Sequence, residues 1–316
     1  MRRYVARRLL QMVPVLLLVT FGVYSLLLLL PGDPVLAMLS ESEQLDQRLV
    51  EQYRRDLGLD RPVPVQYALW LGRFLQGDWG KSIKTNRPVA EEIRARLPAT
   101  LHLGLFAWVI SLLIAIPTGV IAATRRGTPF DHAATAFAVG GVAIPSFWQG
   151  IILILVFAVF FRLVPVSGFV SFTEDPLRSL KHLVLPAVTL GTSIAAVTMR
   201  QTRSAMLEVL AQDYVRTARA KGLREPTVLL DHALRNALLP VVTIMGLQVG
   251  NLIGGSVIIE TIFAVPGVGS LAVSSIFNRD FPVVQALVFI VALSVMTANL
   301  LTDLAYGVLD PRIRYR

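Results

Sequence analysis

The residue types that usually carry chemistry are few and scattered in this 316-residue chain. It has no cysteine, which excludes disulfides, thiolate metal sites and a cysteine nucleophile. Its four histidines, His102, His132, His182 and His232, lie far apart. None sits in a zinc pattern such as H-E-x-x-H, so no metal site and no catalytic residue is expected. Gly80-Lys81-Ser82 resembles the end of a phosphate-cradling P-loop. That motif needs a glycine five residues before its second glycine, and Leu75 stands there. No other Gly-Lys-Ser/Thr occurs, so no cofactor is expected on this chain. Ionisable residues in apolar surroundings are His102, Glu260 and Asp303. All three fall near the ends of apolar stretches, where interfacial water lowers the cost of a charge. A proton relay wants such groups near the midplane, which argues against an ion-coupled secondary transporter.

The residues with the most informative spacing form a basic loop running Tyr214, Val215, Arg216, Thr217, Ala218, Arg219, Ala220, Lys221, Gly222, Leu223. Tyr214, Ala218 and Lys221 recur at i, i+4, i+7, the spacing of one helical face. Gly222 can take the left-handed conformation that ends a helix, and Pro226 can open the next. The spacing predicts a short helix, a sharp turn and a second helix, a knob suited to a groove on a soluble partner.

The elements around this loop are set by composition. Hydrophobic residues make up 54% of the chain and charged residues 16%, against roughly 25% charged in a soluble domain. A bilayer core takes about 20 apolar residues as a helix. Six stretches qualify: Leu9–Leu30, Ala99–Ala123, Ala133–Phe161, Leu183–Met206, Ala237–Phe263 and Val283–Leu304. Each is expected to be helical, because unpaired backbone groups have no partner in lipid. The fold class is therefore an all-α polytopic membrane protein.

The net charge of +9 and pI near 10.3 would suggest nucleic acid in a soluble protein. Here the basic residues obey the positive-inside rule. Arg2, Arg3, Arg7, Arg8, Arg125, Arg126, Arg200, Arg203, Arg216, Arg219, Lys221, Arg224, Arg235, Arg312, Arg314 and Arg316 fall on one side. That side is read as cytoplasmic, with both termini inside. The first stretch exceeds the 7–15 apolar residues of a signal peptide and is read as a retained span.

The expected organisation is residues 1–30 as N-terminus and first span, 31–98 as an extracytoplasmic helical insert, and 99–316 as a five-helix core with a cytoplasmic loop at 207–236. Within the insert, Ser40-x-x-Glu43 reads as a capping box opening a helix through Leu45, Leu49, Tyr53 and Leu57 to Gly58. Pro64 opens a second helix through Val65, Leu69 and Phe74 to Gly77, and Asn86 with Pro88 starts a third. The insert reads either as a docking platform or as a clamp on the spans.

The fifth stretch carries Gly246, Gly250 and Gly254 at four-residue spacing, with Gln248, Asn251 and Ser256. Ala187, Gly191 and Ala195 repeat the idea in the fourth. Small-residue stripes let helices approach closely. Two readings stand: a helix-packing face, or part of a translocation path.

The loop resembles the cytoplasmic motif of ABC-importer permeases, whose short coupling helix fits the nucleotide-binding subunit. Other segments are similar to the dipeptide/oligopeptide/nickel branch: Arg7-Arg8-Leu9, Pro31-Gly32-Asp33-Pro34, Gly77-Asp78-Trp79-Gly80, Leu97-Pro98-Ala99-Thr100, Ile144-Pro145-Ser146-Phe147-Trp148, Phe263-Ala264-Val265-Pro266-Gly267-Val268-Gly269 and Leu309-Asp310-Pro311-Arg312. Arg216-Thr217-Ala218 departs from the general Glu-Ala-Ala wording. The resemblance implies a type I importer fold. It implies a second homologous permease, two cytoplasmic ATPase subunits that use ATP and Mg, and an extracytoplasmic substrate-binding protein. It further implies a bacterial inner-membrane location and di- or oligopeptide import, with nickel complexes or glutathione as the competing substrates. Residues 214–223 would transmit the ATPase motion.

Overall fold

The computed structural model describes residues 2–29 and 60–309. Among them no strand occurs; the one extended pairing is an isolated bridge between Lys81 and Pro88. Helices α1 (Arg2–Leu29), α2 (Val63–Leu75), α3 (Val89–Thr124), α4 (Pro129–Ala143) and α5 (Ser146–Leu153) come first. A π-helical stretch, π1 (Ile154–Phe160), continues α5. Then come α6 (Pro176–Leu210), α7 (Asp213–Ala220) and α8 (Glu225–Thr227). A second π stretch, π2 (Val228–Leu234), leads into α9 (Arg235–Ile262). The series ends with α10 (Val268–Phe277) and α11 (Phe281–Leu309).

Among the described residues five helices are long and apolar enough to cross a membrane, or six if a bent pair counts as one span. The five cover the first, second, fourth, fifth and sixth predicted stretches. The third is corrected. Instead of one helix over Ala133–Phe161, α4 and α5 with π1 meet at a 106° bend. The cause is Pro145, whose ring disfavours helical geometry at the preceding residue, and Ile144 is extended at ψ 122°. The second stretch is longer than expected. Helix α3 starts right after Pro88 and runs without a break through Pro98 to Thr124. The predicted helix from Pro64 is found as α2, with Gly77 in the left-handed region at φ 91°. The Ser40–Gly58 helix lies outside the described residues.

The described residues form two compact units. One takes its residues from 1–98 and 267–296, the other from 99–266 and 297–316. In the first, α1 packs on α2: Thr20 and Tyr67 share a hydroxyl–hydroxyl bond of 2.7 Å, and Tyr24 and Trp70 flank the Tyr67 ring. Phe74, Val89, Ile93, Leu271, Val283 and Leu287 make its core. In the second, α6 is the central helix, packed against α4, α5 and α9. Its small residues Ala187, Gly191, Ala195 and Ala196 are buried. A methyl at Gly191 would come within 2.7 Å of the Ala107 carbonyl oxygen on α3, so glycine there sets how closely the helices approach. Bulky apolar side chains such as Leu10, Leu18, Leu105 and Leu113 point outward, as a lipid-facing surface requires.

Candidate functional site

The loop between α6 and α9 folds as the spacing predicts. Asp213 places a negative charge in the first turn of α7, where the helix dipole favours it. The helix closes in a Schellman arrangement: the Gly222 N–H donates to the Arg219 carbonyl (2.9 Å) and the Leu223 N–H to that of Ala218 (3.4 Å). Gly222 sits at φ 78°, a conformation that costs an L-residue about 1–2 kcal/mol. Nothing lies within 4 Å of where its side chain would project, so glycine is needed there for the backbone and not for space. Pro226 then opens α8 in its first turn.

Side chains brace the turn from both sides. Arg219 and Glu225 pair across it at 2.7 Å, and the carboxylate raises the arginine's hold on its proton. The Asn236 amide donates to the Tyr214 hydroxyl at 3.1 Å. Val215 and Ala218 are buried against Val228, with Val209 and Leu210 alongside. This fixes the rotation of α7, which periodicity leaves free. Tyr214 and Lys221 flank the helix, while Asp213, Arg216, Thr217 and Ala220 are exposed opposite the buried face. The product is a rigid knob with a polar outer surface carrying Arg216, Arg219, Lys221 and Arg224.

The glycine stripe of α9 is not uniform. A methyl on Gly246 would sit 2.7 Å from Thr302 Cβ, and closer still to that residue's hydroxyl and methyl. Gly254 is exposed, with nothing within 4 Å of a methyl placed there. Gly250 is buried. Gln248 accepts a hydrogen bond from Thr198 on α6 at 3.0 Å, which ties the two spans together. Asn251 is on α9, but its side chain lies outside the described residues.

Of the ionisable groups, Glu260 is fully buried and accepts from Thr100 (2.7 Å) and Ser256 (2.9 Å). His102 lies beside Phe169 and Phe172, its buried Nδ1 without a hydrogen bond. Asp303 is half-buried on α11. Gly80-Lys81-Ser82 is no phosphate cradle. Asp280 occupies the turn, accepting from the Ser82 hydroxyl at 2.5 Å and the Ile83 N–H at 3.0 Å.

Sequence reasoning missed one pairing. Arg203 makes two bonds to Asp131, Nε to Oδ1 at 2.6 Å and Nη2 to Oδ2 at 2.8 Å, clamping the start of α4 to α6. The Gly127 N–H also donates to Asp131. An arginine so close to the apolar part of a span was the available signal, but its partner lies 72 residues away. The kink at Ile144 was signalled by Pro145 and hidden by the apolar run around it.

Helices throughout the described residues, several of them long and apolar enough to cross a membrane, define a multi-pass membrane protein. Residues 115–315 match the family described as binding-protein-dependent transport system inner membrane component, and residues 1–104 match its N-terminal counterpart. The chain belongs to this family, the permeases of ABC importers in the inner membrane. It is 43% identical to the dipeptide transport system permease protein DppB of Escherichia coli K12, with all of both chains covered. It is 45% identical to the oligopeptide transport system permease protein AppB of Bacillus subtilis, again over the whole of each. Among solved structures, an inward-facing MetNI methionine ABC transporter matches with a TM-score of 0.56 at 18% identity, covering 71% of this chain and 98% of that one. An amino acid ABC transporter matches at 0.50 and 16%, covering 71% and 95%. These likenesses establish the type I importer permease fold.

Proposed function

We propose that this chain is one membrane half of an ATP-driven importer of di- or oligopeptides. It pairs with a second homologous permease, and two cytoplasmic ATPase subunits drive it. An extracytoplasmic binding protein delivers the substrate. Both termini are cytoplasmic, residues 31–98 form the extracytoplasmic insert, and residues 99–316 form the core. The chain itself is not catalytic; ATP and Mg are bound by the partners. The full-length identity with peptide permeases supports the substrate class.

The observation that carries the mechanism is the braced turn at Gly222. A transmitter must move as a body when its partner moves, and a knob held by a buried valine contact, an ion pair and a Schellman turn does so. Closure of the ATPases then biases the inward- against the outward-open arrangement of the spans. Residues 214–223 are the transmitter.

The test is purification with the co-encoded subunits, then ATPase stimulation and uptake with dipeptides, glutathione and nickel complexes. Stimulation by dipeptides is expected. Stimulation by glutathione or a nickel complex alone overturns the peptide assignment. Gly222→Val, which forces a β-branched residue into the left-handed region, should leave the protein inserted and uncouple hydrolysis from uptake. Gly222→Asn, which tolerates that region, should stay coupled. Full coupling in the valine variant would sink the docking role.

A further inference from the structure

The knob at Gly222 does no work unless its displacement reaches the spans. Its seat is the end of α6, where Val209 and Leu210 pack against Val215, Ala218 and Val228. Arg203 stands seven residues before Leu210 on the same helix, a spacing that shares one helix face and a rise of about 10 Å. From there its guanidinium reaches across to Asp131 in the first turn of α4, with bonds of 2.6 and 2.8 Å. Asp131 is only 3% exposed. It also accepts from the Gly127 N–H at 3.0 Å, so the carboxylate is held from two sides.

The rest of the contact between α4 and α6 is smooth. Ala134 and Ala138 of α4 cluster with Ala195 and Met199 of α6. Farther along, a methyl on Gly141 would come within 2.8 Å of the Ala196 Cβ, so the two backbones run close. Such apolar contacts attract without preferring a direction, and methyl-sized side chains catch on little when one helix slides along another. A bidentate arginine–carboxylate pair differs, because the planar fork fixes distance and orientation together. Among the described residues no other hydrogen bond or ion pair joins α4 to α6.

We propose that Arg203 and Asp131 are a positioning pair for transport: they hand the displacement of the knob from α6 to α4, so that the broken span travels with α6 when the ATPases close. The proposal rests on the reading of residues 214–223 as the transmitter. Without the pair, α6 can shift against the alanine face and leave α4 behind, and ATP is then hydrolysed with less peptide moved. A purely structural pair makes a different demand. In that case any replacement that restores stability also restores transport.

The experiment uses the complete complex in proteoliposomes and reads ATP hydrolysed per dipeptide taken up, beside thermal unfolding. The variant is Asp131→Leu combined with Arg203→Met. Apolar replacement of a buried ion pair is often neutral or stabilising, and the exposed Gly127 N–H can turn to water. The variant therefore removes the lock without stranding a charge. The ratio should rise about 2- to 30-fold, the range for altering a coupling network, while the unfolding temperature and the co-purifying subunits stay as in wild type. A wild-type ratio in this variant overturns the proposal. A second measurement does not depend on it. The chain has no cysteine, so Thr135→Cys on α4 and Arg200→Cys on α6, both exposed, place one spin label on each helix. Their separation should be the same in the nucleotide-free and the ATP-trapped complex. A separation that changes on ATP overturns the proposal, whether or not the apolar variant is stable. If Gly222→Val proves fully coupled, the transmitter reading falls. If Gly222→Val uncouples and the apolar pair does not, only the handover from α6 to α4 falls.

Discussion

Gly246 offers a sharp test of how the α9 and α11 spans are packed. Replacing it with alanine puts a methyl 2.7 Å from Thr302 Cβ and nearer still to the Thr302 hydroxyl and methyl. Thr302 is only 8% exposed, and its hydroxyl is held by the Ala298 carbonyl at 2.8 Å, so it cannot swing away freely. Overpacking of this kind costs about 1–3 kcal/mol. Thr302→Ala removes the two nearest atoms and gives up one hydrogen bond, worth about 0.5–1.5 kcal/mol. In a double-mutant cycle the pair should therefore couple favourably by about 1 kcal/mol or more. The assay is thermal or denaturant unfolding of the purified chain in detergent, with Gly254→Ala as the control. Gly254 has open space around it, so that change should be neutral or slightly stabilising by helix propensity. A Gly246→Ala protein as stable as wild type, or a double variant no better than the sum of its singles, would refute the close approach.

Other outcomes follow from the same geometry. Asp131→Asn should destabilise, because it leaves Arg203 without its counter-charge and weakens the two-bond clamp between α4 and α6; chemical unfolding measures this, and Asp131→Glu should retain part of the stability. Glu260→Gln should be tolerated, since an amide oxygen can still accept from Thr100 and Ser256, whereas Glu260→Leu should cost about 1–3 kcal/mol by removing the acceptor of two hydrogen bonds, each worth about 0.5–1.5 kcal/mol. A loss as large in Glu260→Gln as in Glu260→Leu would show that the charge matters and not the acceptor. Tyr214→Phe should weaken coupling only slightly, by the loss of one half-exposed bond to Asn236, read as a small rise in ATP hydrolysed per peptide moved.

The legible parts of this chain were those decided locally. Gly222 followed by Pro226 announces a helix end and a helix start whatever surrounds them, so the knob could be read directly. Five of the spans could be read for the same reason, as apolar runs of bilayer length. The rotation of α7 could not, because Val215 and Ala218 are buried by Val228, which lies beyond the turn. Nor could the difference between Gly246 and Gly254, identical in local sequence logic yet separated by whether Thr302 happens to stand opposite. The broken third span shows a local signal overruled in reading: Pro145 marks the boundary, but 29 apolar-rich positions around it argued for a single rod.

The π stretch over Val228–Leu234 has a mechanical consequence for the join between knob and span. A π-helix holds more residues per turn than an α-helix while keeping its amides bonded. Were this stretch to tighten to α, everything before it would advance by about one residue, a turn of about 100° and a rise of about 1.5 Å. Such a tightening would make the join a screw thread, taking up a shove on the knob as rotation without breaking the rod. Deleting one residue from 228–234 is the genetic equivalent of tightening that thread. Such a deletion should lock the knob in the turned position, where trapped-state cross-linking can find it.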